Sequence, residues 1–115
     1  MRDPKLYLKD ILGAMYAIEK FVEKVEFEDF KMYDEKSSAV IRKFEIIGKA
    51  TKNITENIKQ IYPDIQWEEM AGFKDKLVHF YFGIRYELVW HTVKNRIPKI
   101  KPLIQRILKT LEANV

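Results

Sequence analysis

The chain has 115 residues, of which 47% are hydrophobic, 33% charged and 13% aromatic, with four glycines and four prolines. That balance excludes a disordered chain and a fibrous repeat, and the length predicts one compact domain over residues 1–115. With no cysteine, disulfides, thiolate metal sites and cysteine nucleophiles are excluded, and with two histidines neither a metal nor a cofactor is expected.

The net charge of +4 is unevenly placed. Residues 1–84 hold 14 basic and 15 acidic side chains, whereas residues 85–115 hold seven basic and two acidic. From Lys94 to Lys109 the chain carries Lys94, Arg96, Lys99, Lys101, Arg106 and Lys109 with no acid between them. Such a run is either a solvated helix face or a surface that follows phosphates. Met1 to Lys5 lack an apolar leader core, and no stretch reaches the roughly 18 apolar residues of a membrane span, so a soluble, cytoplasmic protein is expected.

In chain order, Leu8, Ile11, Leu12, Met15, Ile18, Val22 and Val25 recur at spacings of three and four, which predicts an amphipathic helix from about Leu6 to Phe27. Glu26 to Phe30 breaks the period and reads as a connection. Asp34 or Ser37 caps a second helix with Val40, Ile41, Phe44, Ile47, Ile54, Ile58 and Ile61 inward, and Pro63 follows its end. A loop at Pro63–Gln66 leads to a third helix, about Trp67 to Phe82, with Gly83 as its stop. A fourth runs from about Tyr86 to Asn95. The last begins near Ile97-Pro98, where Pro98 and Pro102 suit a helix start better than a helix middle. The expected architecture is an all-α bundle of four to five helices.

Chemistry concentrates between Trp67 and Ile84, where a histidine sits in the aromatic run Phe80-Tyr81-Phe82. On a continuous helix Asp75 and His79 fall one turn apart, so Asp75 can accept from one ring nitrogen and leave the other free as acid or base. Lys74 lies about 7.5 Å along the axis from His79 and roughly 140° around it, so the two meet only on a substrate. Packing explains the same residues: His79 as a core or interface histidine, Tyr81 as a rim aromatic and Lys74 as a solvated charge. His91 has only Glu87 as an acidic neighbour at helical spacing. Phe80, Phe82, Tyr86 and Trp90 are expected in the core or between subunits.

The blocks Arg42-Lys-Phe-Glu45-Ile-Ile-Gly48, Tyr62-Pro-Asp-Ile-Gln-Trp67 and Leu77-Val-His79-Phe-Tyr81-Phe82, with Trp90, resemble the HepT-like (DUF86) branch of the HEPN superfamily. The resemblance covers nearly the whole chain. It implies a helical homodimer with its motif near the twofold interface. It further implies the toxin of a type VII HepT/MNT toxin–antitoxin system: a metal-independent ribonuclease paired with a minimal nucleotidyltransferase antitoxin, which blocks it by AMP transfer to Tyr81. The family signature is arginine, four residues, histidine, one residue, tyrosine. His79 and Tyr81 match it, and Lys74 stands at the arginine.

On that resemblance His79 is the general acid or base, Lys74 stabilises charge on the phosphorane, Asp75 orients the site and Tyr81 contacts RNA or accepts the nucleotidyl group. Lysine keeps the charge of arginine but not its planar fork. Lys49 is a second departure, at a position usually held by glutamate, which leaves Glu45 as the acid of its block. Lys99, Lys101, Arg106 and Lys109 are the expected RNA-binding cations. Two other functions fit the same residues: a catalytically degenerate subunit binding nucleotide or RNA for a partner nucleotidyltransferase, and a plain helical dimer whose aromatic run is interface.

Overall fold

The computed structural model describes residues 2–79 and 83–114. Helix α1 (Pro4–Val22) starts where the Asp3 carboxylate accepts from the Lys5 N–H at 2.9 Å, with Pro4 in the first turn. Its stripe of Leu8, Ile11, Met15 and Ile18 is fully buried. The helix stops before the predicted Phe27 because Glu23 turns extended and Lys24 adopts a φ of +60°. That turn redirects the chain, and Phe27–Met32 forms α2 where a connection was expected. The element buries Phe30, whose ring lies 5.1 Å from Trp90 and 6.4 Å from Tyr86 between centroids, while Phe27 meets Trp90 edge-on at 5.7 Å. Tyr86 and Trp90 thus find their partners within the chain. Phe80 and Phe82 lie outside the described residues.

The predicted second helix is two. α3 (Asp34–Lys52) ends where the Asn53 side chain donates to the Lys49 carbonyl at 2.9 Å, and α4 (Glu56–Ile61) begins after an extended Thr55. The break lets Ile54 turn into the core. α3 packs against α1 along its length, and α1 also packs on the last helix, Ile97–Ala113.

The predicted third helix is overturned in its second half. α5 (Trp67–Ala71) and α6 (Phe73–Leu77) are short helices joined at Gly72, after which Val78 is extended (φ −123°, ψ 122°). Val78–His79 forms β1 and pairs antiparallel with β2 (Gly83–Ile84), His79 opposite Gly83. The Arg85 N–H donates to the Leu77 carbonyl at 2.9 Å and closes the ladder. Gly83 has the positive φ (+81°) expected of it, but in a hairpin and not at a helix end. Val78 is β-branched and favours an extended conformation once Ile84 offers a partner. The bundle is nevertheless all-α, since this ladder has two residues on each side.

α7 (Tyr86–His91) passes without interruption through a π-helical turn (Thr92–Arg96) into α8 (Ile97–Ala113). The Thr92 hydroxyl donates to the Leu88 carbonyl at 2.7 Å within this wider turn. Pro98 sits in the first turn of α8, but Pro102 lies inside it, against expectation. Both are on the exposed face, where carbonyls deprived of a donor can meet water, while Ile97, Ile100, Ile104 and Ile107 point into the core. Among the described residues no helix is long and apolar enough to cross a membrane.

Candidate functional site

The site is positioned by a close helix crossing. Gly48 on α3 lies under the end of α5: a Cβ there would meet the Ala71 carbonyl oxygen at 3.0 Å. The glycine therefore serves this approach and not a turn, and it brings the start of α6 within reach of α3. Phe73 locks the arrangement from below, edge-to-face with Phe44 at 5.2 Å, both rings buried.

Above this crossing, Glu45, Gly48, Lys49, Lys52, Ala71, Lys74 and Asp75 line an open depression of about 170 Å³. Glu45 is its centre. One carboxylate oxygen lies 3.3 Å from Arg42 Nη1 and 3.3 Å from Lys49 Nζ, and the other lies 3.5 Å from Lys74 Nζ. The carboxylate is 22% exposed, whereas Lys74 is 49% and Lys49 69% exposed, so the anion is held and the cations around it are wet.

The hydrogen bond from Lys49 is the main influence that lowers the Glu45 pKa. Partial desolvation opposes it, and the charges of Lys74, Lys49 and Arg42 reinforce it. A carboxyl with a depressed folded value adds stability above its unfolded value and loses it as pH falls through the folded one. A carbon-detected NMR titration should accordingly place the Glu45 midpoint below the ordinary 4.5, and Lys49→Ala should move it upward. A wild-type midpoint at or above 4.5 would contradict the cluster.

Lys74 and Asp75 thus share one rim, on the helix that leads directly into the strand of His79. The turn-by-turn relation of Asp75 to His79 does not survive, because the helix ends at Leu77 and the chain is extended from Val78 into His79, which pairs with Gly83. The His79 side chain and Tyr81 lie outside the described residues. His91 is exposed, its Nδ1 3.1 Å from the Asn95 amide nitrogen.

The C-terminal cations divide. Arg96 forms a two-pronged pair with Glu69 (Nε to Oε1 2.8 Å, Nη2 to Oε2 3.1 Å) that ties the π-helical turn to α5. Lys101 donates to Glu19 on α1 and lies over the Tyr16 ring, 4.9 Å from its centroid. Lys94 stacks on Trp90 at 4.7 Å. Lys99, Arg106 and Lys109 are exposed and form no ion pair among the described residues. At about 100° per residue Lys99 and Arg106 share one face, Lys109 borders it, and Lys101 lies further round on the side of Lys109. The sequence could not set Lys101 apart from the other three, since its partner Glu19 is 82 positions away.

The Arg42–Glu45–Lys49 set was readable as i,i+3 and i,i+4 spacing on a helix. Its meeting with Lys74 was not. A larger cleft of about 580 Å³ between α4 and α5, lined by Glu56, Ile65, Trp67 and Glu68 among others, contains none of the expected site residues. Among the described residues no three His, Asp or Glu side chains gather as metal ligands.

These features define an all-helical bundle with a small cationic depression beside a histidine-bearing hairpin. Comparison with known proteins places it further. The family model described as ribonuclease HepT-like matches residues 11–107. A protein of Thermococcus cleftensis named "Probable ribonuclease HepT" is 44% identical over 108 residues, 94% of this chain and 98% of that one. A Methanocaldococcus jannaschii protein named "Putative RNase MJ0125" is 44% identical over 111 residues, 96% of each chain. No solved structure matches. The chain belongs to the ribonuclease HepT-like family.

Proposed function

We propose that the protein is an endoribonuclease, the toxin of a HepT/MNT pair, acting as a homodimer whose site is completed across the twofold axis. The observation that carries this reading is the placing of Lys74 and Asp75 on one open depression at the head of the hairpin that bears His79, in a chain of this family. The chemistry suits those residue types. His79 takes the proton of a ribose 2′-hydroxyl, the 2′-oxygen attacks the adjacent phosphorus, and the bond to the 5′-oxygen breaks as that oxygen is reprotonated. The nucleophile comes from the substrate itself, so no metal-bound water is required.

Lys74 offers a point charge to the phosphorane, and Asp75 orients the site from the same rim. Lys99, Arg106 and Lys109 hold flanking phosphates, and Lys101 joins them by releasing Glu19. Tyr81 contacts RNA and is the acceptor for AMP transfer from the antitoxin. Family relatives named as ribonucleases support the RNA substrate. The alternative, a degenerate subunit that binds RNA or nucleotide for the nucleotidyltransferase, is favoured by one observation: the Lys74 ammonium is already paired with Glu45.

Incubating the purified protein with varied single-stranded RNAs in EDTA tests the reading. Cleavage is expected, from a species that elutes as a dimer, and co-expression with the cognate nucleotidyltransferase should silence it while adding whole AMP units to the Tyr81 peptide. No cleavage of any RNA would remove the enzyme and leave the binding subunit.

A further inference from the structure

The Glu45 carboxylate shows how the depression treats an anion. Two ammonium groups from different helices, Lys49 of α3 and Lys74 of α6, each lie near a different oxygen of the same small anion, and Arg42 adds a third positive charge beside Lys49. A carboxylate and the two non-bridging oxygens of a phosphodiester are similar in span and charge, which is why the same cations recognise both. The carboxylate sits on a helix fixed against α5 by the Gly48 crossing and cannot leave. The cations are long, half-exposed or more, and can swing outward. Lys52, also exposed, lines the same rim.

We infer that Lys49 is a second phosphate-binding cation of the site: Glu45 gathers Lys49 and Lys74 in the free protein, and an RNA phosphodiester entering the depression is gripped by both ammonium groups as they swing outward from Glu45. The inference rests on the ribonuclease reading for its ligand alone. Lysine at 74 then no longer works singly. Two point charges, one from each side, supply the two-sided contact that a single ammonium lacks. The net charge of the lining favours this role, because Lys49, Lys52 and Lys74 outnumber Glu45 and Asp75.

The test separates binding from cleavage. In a His79→Ala background, binding of a short single-stranded RNA is measured across a salt series for Lys49→Ala, Lys49→Arg and a control, Lys20→Ala, an exposed lysine on α1. Lys49→Ala should weaken binding roughly five- to tenfold at low salt and lower the log–log salt slope by about 0.7, one phosphate contact on a single strand. Lys49→Arg should restore both. Binding and slope unchanged in Lys49→Ala, or an equal loss in Lys20→Ala, would overturn the inference. Cleavage by the His79-intact protein is scored separately: its absence, with the Lys49 effect present, would remove the ribonuclease reading and keep the phosphate site.

Discussion

Replacing His79 with alanine is expected to lower RNA cleavage by about 10²–10⁴-fold while leaving the thermal unfolding curve in place, as loss of a positioned acid–base group does. The second half of that expectation has a structural basis. His79 belongs to a two-residue strand at the end of α6, and its ladder is made by backbone pairing of Val78 with Ile84, of His79 with Gly83 and of Leu77 with Arg85, which an alanine at 79 retains. The same assay applied to Lys74→Arg distinguishes a weakened enzyme from a binding subunit. An arginine would span two phosphate oxygens at once, so cleavage should rise if chemistry persists. A His79→Ala protein that cleaves as well as the wild type would transfer the proton chemistry elsewhere. A Lys74→Arg protein as inactive as an inactive wild type would favour the subunit.

The largest loss of stability is expected from Phe44→Ala. Phe44 is completely buried on α3, with its ring edge-to-face against Phe73, the first residue of α6. Removing it deletes one ring and leaves a cavity in the face of the other, at a cost of about 3–5 kcal/mol. Against a total of roughly 5–15 kcal/mol for a domain, that is a large part of the whole. The midpoint of thermal unfolding by circular dichroism should fall by roughly 10–20 °C. Ile61→Ala, at a residue expected inward but 64% exposed at the end of α4, should stay within about 0.5 kcal/mol of the wild type. Because Phe73 seats the helix that carries Lys74, Phe44→Ala should also impair cleavage below its unfolding temperature, and Phe44→Leu should recover part of both. Equal stability of Phe44→Ala and the wild type would mean that α6 is not anchored through this pair.

The helical bundle was legible in the residues because its signal is local. The Leu8-to-Val22 stripe, the Val40-to-Ile47 stripe and the Ile97-to-Ile107 stripe each report burial at a period near 3.6, and each is buried in the structure. What failed were places where local preference is nearly balanced and a distant partner decides. Glu26–Phe30 looked like a connection, yet it is helical because Phe30 finds Tyr86 and Trp90. Val78–His79 continued a helical pattern on paper, yet pairs with Gly83–Ile84, a partner that helical periodicity does not reveal. Pro102 looked like a start and is tolerated inside a helix because its face is exposed.

The site divides along the same line. By itself the sequence determined the candidate residues, His79, Tyr81, Lys74 and Asp75, the uneven charge along the chain, and the family to which the blocks pointed, since each depends only on residue type and order. Tertiary structure alone decided that Lys74 meets Glu45 beside Lys49, that Arg96 and Lys101 are held by Glu69 and Glu19, and that Lys99, Arg106 and Lys109 are exposed without an ion pair among the described residues. The physical reason is that an ion pair between helices depends on where their axes cross. For Lys74 and Glu45 that crossing is set by Gly48, whose missing Cβ lets the Ala71 carbonyl come close, and not by any property of the charged residues themselves.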